Sequence, residues 1–322
     1  MKSENRVFLA GHRGLVGSAL HRALIRRNYN RVLTRTHAEL DLRDRSRVFD
    51  FFEKERPECV LLAAAKVGGI MANMTYPAMF IQENLDIQNN VIEASYRYGI
   101  ERLLFLGSSC IYPKMCPQPI REEYLLTGPL EPTNRPYALA KIAGIEMCWS
   151  FNRQYGTRYL AAMPTNLYGP GDNYDAQNSH VLPALIRKVV EAKAAGGQSI
   201  SVWGSGTPRR EFLHSDDLAE ACLHLVEMDD AGIAPLLKTE QPPLVNVGAG
   251  EDLTIRELAE MICRIFNFSG DLIFDASKPD GTHRKLMDST LIRSLGWRPR
   301  IDLESGIRNL NAESQLLGCA RA

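Results

Sequence analysis

Tyr137 and Lys141 stand four residues apart at the start of a stretch that reads as one long helix, Pro136–Tyr155, so both project from one face. A phenol titrates near ~10 and needs help to exchange a proton at neutral pH. An ammonium group one helical turn away favours the phenolate. Ser108 follows the apolar run Arg102–Gly107 (RLLFLG), and its hydroxyl can hydrogen-bond the same carbonyl oxygen as the phenol and steady developing charge there. Together the three suit proton and hydride exchange at a carbonyl. Cys110 lies two residues beyond Ser108, and a thiol/thiolate pair is a competent proton carrier near neutral pH. His180 precedes the apolar helical stretch VLPALIRKVV. Read from residue type alone, Cys110 is a buried structural cysteine sooner than a catalytic one, and His180 equally a surface residue at a helix N-terminus.

A second constellation sits near the start of the chain. Gly11-His12-Arg13-Gly14-Leu15-Val16-Gly17 is GxxGxxG between the apolar run Arg6–Ala10 and a helical pattern through Leu15, Val16, Ala19, Leu20 and Leu24. Glycines let the chain turn tightly and let a pyrophosphate approach the backbone, and the helix N-terminus supplies N–H groups. The context predicts a dinucleotide site. An NAD site usually presents an acid about 20 residues on. Here that stretch reads Thr34-Arg35-Thr36-His37, and Arg13 lies in the loop itself. Two guanidinium groups suit a 2′-phosphate, so the expected cofactor is NADP(H). Asp41 is a candidate acceptor for the adenine amino group.

Strands are expected at Arg6–Ala10, Arg31–Arg35, Cys59–Ala65, Arg102–Gly107 and Tyr159–Met163, with helices at Arg43–Arg56, Asn84–Gly99 and Pro136–Tyr155 between them. Continuous apolar strands alternating with helices indicate a parallel sheet covered on both faces, doubly wound by right-handed crossovers. Beyond Pro164 the pattern is irregular, with helices at Val181–Ala195, Asp216–Glu227, Thr254–Phe266 and Ser289–Leu295. The expected division is a dinucleotide-binding domain at 1–170, with a segment returning at about 212–248, and a smaller substrate domain from 171–211 and 249–322.

Composition narrows the class of partner. The 322 residues are 45% hydrophobic and 24% charged, and Lys+Arg equals Asp+Glu at 38 each, so no global field points to nucleic acid or an anionic membrane. Local basic residues must then hold any anionic ligand. Met1–Asn5 is polar and runs straight into a strand, which predicts no signal peptide, and no apolar run approaches the roughly 20 residues of a membrane helix. The seven scattered cysteines form no CxxC pair, which argues against a disulfide framework or a metal site and for a cytoplasmic protein.

The order GxxGxxG, Ala63-Ala64-Ala65, Ser108, Tyr137-x-x-x-Lys141 and Pro164-Thr165-Asn166-Leu167-Tyr168-Gly169-Pro170 resembles the extended short-chain dehydrogenase/reductases from end to end. The likeness is sharpest to their epimerase–reductases of GDP-linked sugars, in AAKVGGI (64–70), LGSSCIYPK (106–114), EPTNRPYALAKIAG (131–144), NSHVLPALI (178–186), WGSGTPRREFLHSDDLA (203–219) and FDASKPDGTHRK (274–285). Departures are Arg209 before Arg210 and a shortened, different C-terminus after Leu310. The resemblance implies a Rossmann sheet with a smaller C-terminal α/β domain. It implies C3/C5 epimerisation of GDP-4-keto-6-deoxy-D-mannose with Cys110 as base and His180 as acid, then NADPH reduction at C4. It also implies Ala64, Leu106, Gly107, Lys141, Pro164, Asn166, Leu167 and His180 beside the cofactor, and Lys188, Trp203, Arg210 and Asp280 around the GDP-sugar. Lysine at 188 keeps charge where the family often has arginine, but loses the bidentate fork. A homodimer through the helices Asn84–Gly99 and Pro136–Tyr155 is implied as well. A 4-epimerase recycling its own NAD fits poorly with Arg13, Arg35 and the Cys110/His180 pair. A 4,6-dehydratase would place Thr-Asp-Glu where Ser108-Ser109-Cys110 stands, and a catalytically silent NADPH sensor has no need of Ser108, Tyr137 and Lys141.

Overall fold

The computed structural model describes residues 1–176, 179–278 and 280–319. Its first half alternates β1 (Val7–Ala10), α1 (Leu15–Arg26), β2 (Val32–Leu33), α2 (Arg45–Glu55), β3 (Cys59–Leu62), α3 (Ile70–Thr75), α4 (Pro77–Arg97), β4 (Arg102–Leu106), α5 (Arg135–Tyr155) and β5 (Arg158–Pro164). There follow β6 (Asn166–Tyr168), α6 (Val181–Ala194), β7 (Ser199–Trp203), β8 (Arg209–Arg210), β9 (Phe212–His214), α7 (Ser215–Glu227), α8 (Asp230–Ile233) and β10 (Leu244–Val247). The chain ends through β11 (Leu253–Thr254), α9 (Ile255–Ile265), β12 (Asp271–Asp275), β13 (Arg284–Lys285), α10 (Thr290–Ser294) and α11 (Leu303–Cys319). Among the described residues no helix is long and apolar enough to cross a membrane.

Six strands form the central sheet in the order β10-β5-β4-β3-β1-β2, every pair parallel. Alternate residues of each strand serve opposite faces. Leu9, Leu61 and Leu104 join Leu20 and Leu24 of α1 and Leu218 and Leu225 of α7. Phe8, Val60 and Phe105 join Phe52 of α2, Val91 and Ile92 of α4, and Ile145 of α5. A third cluster lies apart from the sheet, where Leu185 and Val189 of α6 meet Leu258 and Ile262 of α9 and Ile307 of α11. Short pairings complete it: β7 with β12 and β6 with β9 in parallel, and β8 between β11 and β13.

Several elements differ in extent from the sequence pattern. The expected strand Arg31–Arg35 shrinks to two residues at the sheet edge, where one neighbour alone supplies hydrogen bonds. The strand expected to reach Ala65 stops at Leu62. α4 starts seven residues before the expected Asn84, because Pro77 takes the first helical position, where its missing N–H costs nothing. The remaining helix ends agree to within about two residues.

α5 carries the Tyr/Lys pair and lies against β4 at Gly144, where an added Cβ would stand 2.5 Å from Phe105 Cζ. The Phe105 ring is fully buried, and the Lys141 ammonium lies 4.6 Å from its centroid. Overpacking of this kind costs roughly 1–3 kcal/mol. Gly144→Val is therefore expected to lower unfolding stability by about 2–3 kcal/mol in urea titration, whereas an unchanged midpoint would show that α5 has room to lift.

Candidate active site

The chain leaves β1 toward β2 on one side and toward β3, β4, β5 and β10 on the other, so the crevice between β1 and β3 is the switch point where ligands of such sheets sit. The glycine loop closes this crevice. Gly11 has φ +88°, and a Cβ there would stand 2.7 Å from Ala64 N at the end of β3. At Gly17 a Cβ would lie 1.9 Å from Gly11 O, so α1 can approach the turn only with glycine at that position. Gly14 is the N-cap of α1 and offers no side chain, which leaves the N–H groups around Leu15 and Val16 open to an anion. A pyrophosphate fits this cradle. His12 Nδ1 is buried without a hydrogen-bond partner among the described residues, and burial, followed by the Arg13 charge, lowers the imidazole pKa.

Arg13 is exposed at the mouth of the loop. Arg35 is engaged within the protein: it donates to Glu55 Oε1 at 2.6 Å and to Thr34 O at 2.8 Å. Asp41 is likewise occupied, since hydrogen bonds from Arg43 hold its carboxyl down to about 2. Gly107 N donates to Ala162 O at 2.9 Å, and a Cβ at Gly107 would strike the Met163 thioether, so Leu106 and Gly107 keep β4 flush against β5. Pro164 ends β5, Asn166 Nδ2 donates to Glu211 O at 2.9 Å, and Leu167 is half-buried in β6.

Ser108, at the carboxyl end of β4, caps a short 3₁₀ turn over Ser109–Ile111, and Cys110 N donates to Ser108 Oγ at 3.4 Å. The same hydroxyl acts on the Tyr137 phenol and the Cys110 thiol, lowering the pKa of each against the effect of burial. Burial pushes the phenol well above its usual range, the potential negative charge on Cys110 adds to this, and the Ser108 hydrogen bond opposes it. Lys141 was expected to act directly on the phenol. Instead its ammonium donates to Leu106 O at 2.8 Å and lies 5.8 Å from the Tyr137 ring centroid. Burial lowers Lys141 to about 8, with Cys110 opposing, so it is still mostly an ammonium at neutral pH. Burial also raises the Cys110 thiol, against the pull of Lys285, Ser108 and Lys141.

His180 is the N-cap of α6, open to solvent at its rim. The surrounding protein lowers its imidazole pKa, with Lys285 as the second cause. Lys188 donates to Ser201 O at 2.7 Å and lies 5.8 Å from the centroid of the exposed Trp203 ring. Lys278 reaches the same ring at 5.5 Å. Asp280 accepts from Ser205 N at 2.9 Å and Ser205 Oγ at 2.8 Å, which fixes the Gly204 turn beside Trp203. Arg210 donates to Thr282 O and Arg209 O, and burial lowers its pKa against the opposing charge of Asp280.

Sequence reasoning passed over Lys278 and Lys285, although both lie in the FDASKPDGTHRK segment it had singled out. Lys278 is exposed and Lys285 half-buried in β13, and neither placement leaves a mark in the neighbouring residues, so the signal lay only in the whole string. Among the described residues no His/Cys/Asp/Glu cluster is built to hold a metal ion.

Residues 7–248 match the profile of the NAD dependent epimerase/dehydratase family. The chain is 55% identical over 307 residues to the GDP-L-fucose synthase of Escherichia coli K12, covering 95% of each chain. It is 54% identical to GDP-L-fucose synthase 1 of Arabidopsis thaliana, covering 94% of this chain and 90% of that one. Among solved structures it is similar to a GDP-mannoheptose C4 reductase from Campylobacter jejuni with NADP bound, at a TM-score of 0.87 and 38% identity over 98% of this chain and 99% of that one. A parallel sheet with a glycine cradle at its switch point, a Ser–Tyr–Lys set beside it and this likeness along nearly the whole chain agree: the chain belongs to the NAD dependent epimerase/dehydratase family, the extended short-chain dehydrogenase/reductases.

Proposed function

We propose that this chain converts GDP-4-keto-6-deoxy-D-mannose to GDP-L-fucose, epimerising C3 and C5 and reducing C4 with NADPH. What carries the reading is the likeness along nearly the whole chain to GDP-L-fucose synthases, together with Ser108 at the end of β4, whose Oγ accepts from Cys110 N in the turn that follows. One C4 ketone acidifies both neighbouring C–H bonds, so a single oxyanion site can serve both epimerisations and the reduction. Ser108 and Tyr137 hydrogen-bond the C4 oxygen while negative charge gathers on it. Cys110 removes the protons at C3 and C5, and His180 returns protons from the opposite face. NADPH, when bound, supplies the hydride for C4. Tyr137 then protonates the new alkoxide, with Lys141 orienting the site through Leu106 O.

The proposed division of labour follows the chain. Residues 1–170, with 212–248 returning, hold the cofactor: Gly11, His12, Gly14, Leu15, Val16 and Gly17 take the pyrophosphate and Arg13 and Arg35 the 2′-phosphate. Asp41 takes the adenine, and Ala64, Leu106, Gly107, Pro164, Asn166, Leu167 and His180 line the remaining length. Residues 171–211 and 249–322 hold the GDP-sugar, with Lys188 and Arg210 on the diphosphate, Trp203 as an aromatic wall and Asp280 beside it. Six thiols are unpaired among the described residues, which suits the reducing cytoplasm. The chain pairs as a homodimer through α4 and α5, where Leu139 and Tyr155 are exposed. Light scattering should then give twice the 36.1 kDa chain mass.

Tyr137→Phe is expected to lower product formation by about 10²-fold or more while leaving NADPH binding intact. Near wild-type turnover would remove Tyr137 from the reaction. Arg13→Ala/Arg35→Ala should weaken NADPH binding by about tenfold or more and leave NADH binding little changed. Equal losses for both would assign these arginines to the pyrophosphate or, for Arg35, to its Glu55 contact.

In deuterated water the wild-type chain should incorporate deuterium at both C3 and C5. Cys110→Ser should strongly suppress that exchange, because a serine hydroxyl is far too weak an acid to supply base at neutral pH. His180→Gln should leave part of the exchange but slow inversion. NMR of the products after complete NADPH oxidation reads both outcomes. Undiminished deuterium in GDP-L-fucose made by Cys110→Ser would show that another group is the base.

A further inference from the structure

We infer that Tyr112 and Asn246 form a buried clasp that positions Cys110: the Tyr112 phenol donates to Asn246 Oδ1 at 2.5 Å and so fixes the turn that carries the thiol. The inference rests on the reading of Cys110 as the base. It starts from an asparagine in an apolar strand. β10 reads Leu-Val-Asn-Val, and Asn246 is fully buried there. A buried amide is destabilising unless its polar atoms are hydrogen-bonded. Those of Asn246 all turn to one segment, the chain between Tyr112 and Glu122. Besides accepting from Tyr112, its side chain donates through Nδ2 to Ile120 O at 3.0 Å, and its main-chain N–H donates to Glu122 Oε1 at 3.0 Å. β10 is the last strand of the sheet and pairs with β5 alone, so the 112–122 segment covers its open edge where a seventh strand would lie.

The same segment begins at the site. Gly107, just past β4, is held by its N–H on Ala162 O at 2.9 Å and lies so close to Met163 that a Cβ would stand 2.1 Å from Cε. Met163 is in turn the partner of Asn246 in the register of β5 and β10. Between the two fixed points, Gly107 and Tyr112, lie Ser108 and the single 3₁₀ turn Ser109–Ile111, with Tyr112 as its C-cap. The bonds inside this turn are long: Cys110 N to Ser108 Oγ at 3.4 Å and Ile111 N to Ser108 O at 3.2 Å. Bonds of that length restrain a turn weakly. The Tyr112 bond is shorter, and its acceptor belongs to the sheet. Burial, followed by the Glu122 charge, holds the Tyr112 phenol well above its usual range, so it stays protonated as the donor. Anchored two residues from Cys110, this side chain sets where the thiol points, whereas Ser108 sits beside the strand end and depends on it less. Tyr112 and Asn246 are both buried and act through the turn, which makes them positioning residues.

The test is alkylation of Cys110 by iodoacetamide in the full chain. The tryptic peptide Leu103–Lys114 contains Cys110 and no other cysteine, so mass spectrometry follows it apart from the buried Cys59, Cys148 and Cys222. Tyr112→Phe keeps the ring and removes one oxygen. It should speed labelling of Cys110 about tenfold and leave the three remote thiols unchanged. Added to Asn246→Leu it should give no further rise, because the phenol then has no partner to lose. In deuterated water, exchange at C3 and C5 by Tyr112→Phe should fall about tenfold or more, with KM for the keto-sugar and NADPH affinity unchanged. Labelling needs no substrate, so it reads the clasp whatever sugar the chain acts on, and exchange reads its consequence for the base. An unchanged Cys110 rate overturns the proposal. So does a rise shared by Cys59, Cys148 and Cys222, which a general loss of stability would give, and so does full exchange in a variant whose Cys110 labels faster.

Discussion

The Glu211 carboxylate, fully buried between β8 and β9, ties the two halves of the molecule together. Its oxygens accept from Gly250 N at 2.7 Å and Met287 N at 2.9 Å, and its main-chain carbonyl accepts from Thr165 Oγ1 and Asn166 Nδ2. Burial raises its pKa, and the N–H groups of Gly250 and Met287 oppose that rise. A buried carboxylate left without such donors is costly, so the turn after β10 and the residues just past β13 must arrive together. The end of β5 joins them through the Glu211 main-chain carbonyl. This one side chain therefore holds the Lys285 strand against the carboxyl ends of the sheet, where Ser108 and Cys110 emerge. The relation of β13 to these strand ends is thereby fixed.

Fixed relation matters because the proposed reaction asks one oxygen to carry charge three times. Each enolate and the final alkoxide place negative charge on the C4 oxygen, and preorganised donors serve all three without rearrangement. The raised phenol of Tyr137 fits this duty: in the closed site it stays protonated and donates, and it releases its proton only when a stronger base, the alkoxide, forms beside it. Lys141 bonds Leu106 O rather than the phenol, so in this state it acts on the strand end that carries Ser108.

Much of this was legible in the sequence. Apolar runs at Val7–Ala10, Cys59–Leu62 and Arg102–Leu106 announce a sheet buried on both faces, and Pro136 and the glycine after Tyr155 bracket α5. The glycine loop is legible because sterics leave no alternative at Gly11 and Gly17. What was not legible depends on segments meeting from afar. Arg35 reads as a free cation until Glu55, one helix later, takes it. Glu211 reads as an ordinary surface acid between arginine and phenylalanine, and Lys285 as one more basic residue after His283 and Arg284. Burial of a charged group is a property of the assembled neighbourhood, and periodicity within one element carries no trace of it.

The arginine pair at β8 shows how neighbouring cations are divided between tasks in a chain of zero net charge. Successive side chains of a strand point to opposite faces, so Arg209 and Arg210 cannot share one task. Arg209 turns to Asp252 at 2.9 Å, where Arg284 bonds the second carboxylate oxygen, and this triad binds β8, β11 and β13 into one small sheet. The additional arginine that sets this sequence apart is thereby neutralised within the fold. Arg210 faces the other way, hydrogen-bonded to the main-chain oxygens of Arg209 and Thr282 with its pKa lowered by burial. Carbonyls do not neutralise a guanidinium as a bonded carboxylate does, and the charge acting on Arg210 is that of Asp280. The small sheet thus spends Asp252 on the arginine that builds it and leaves Arg210 to main-chain oxygens and the charge of Asp280.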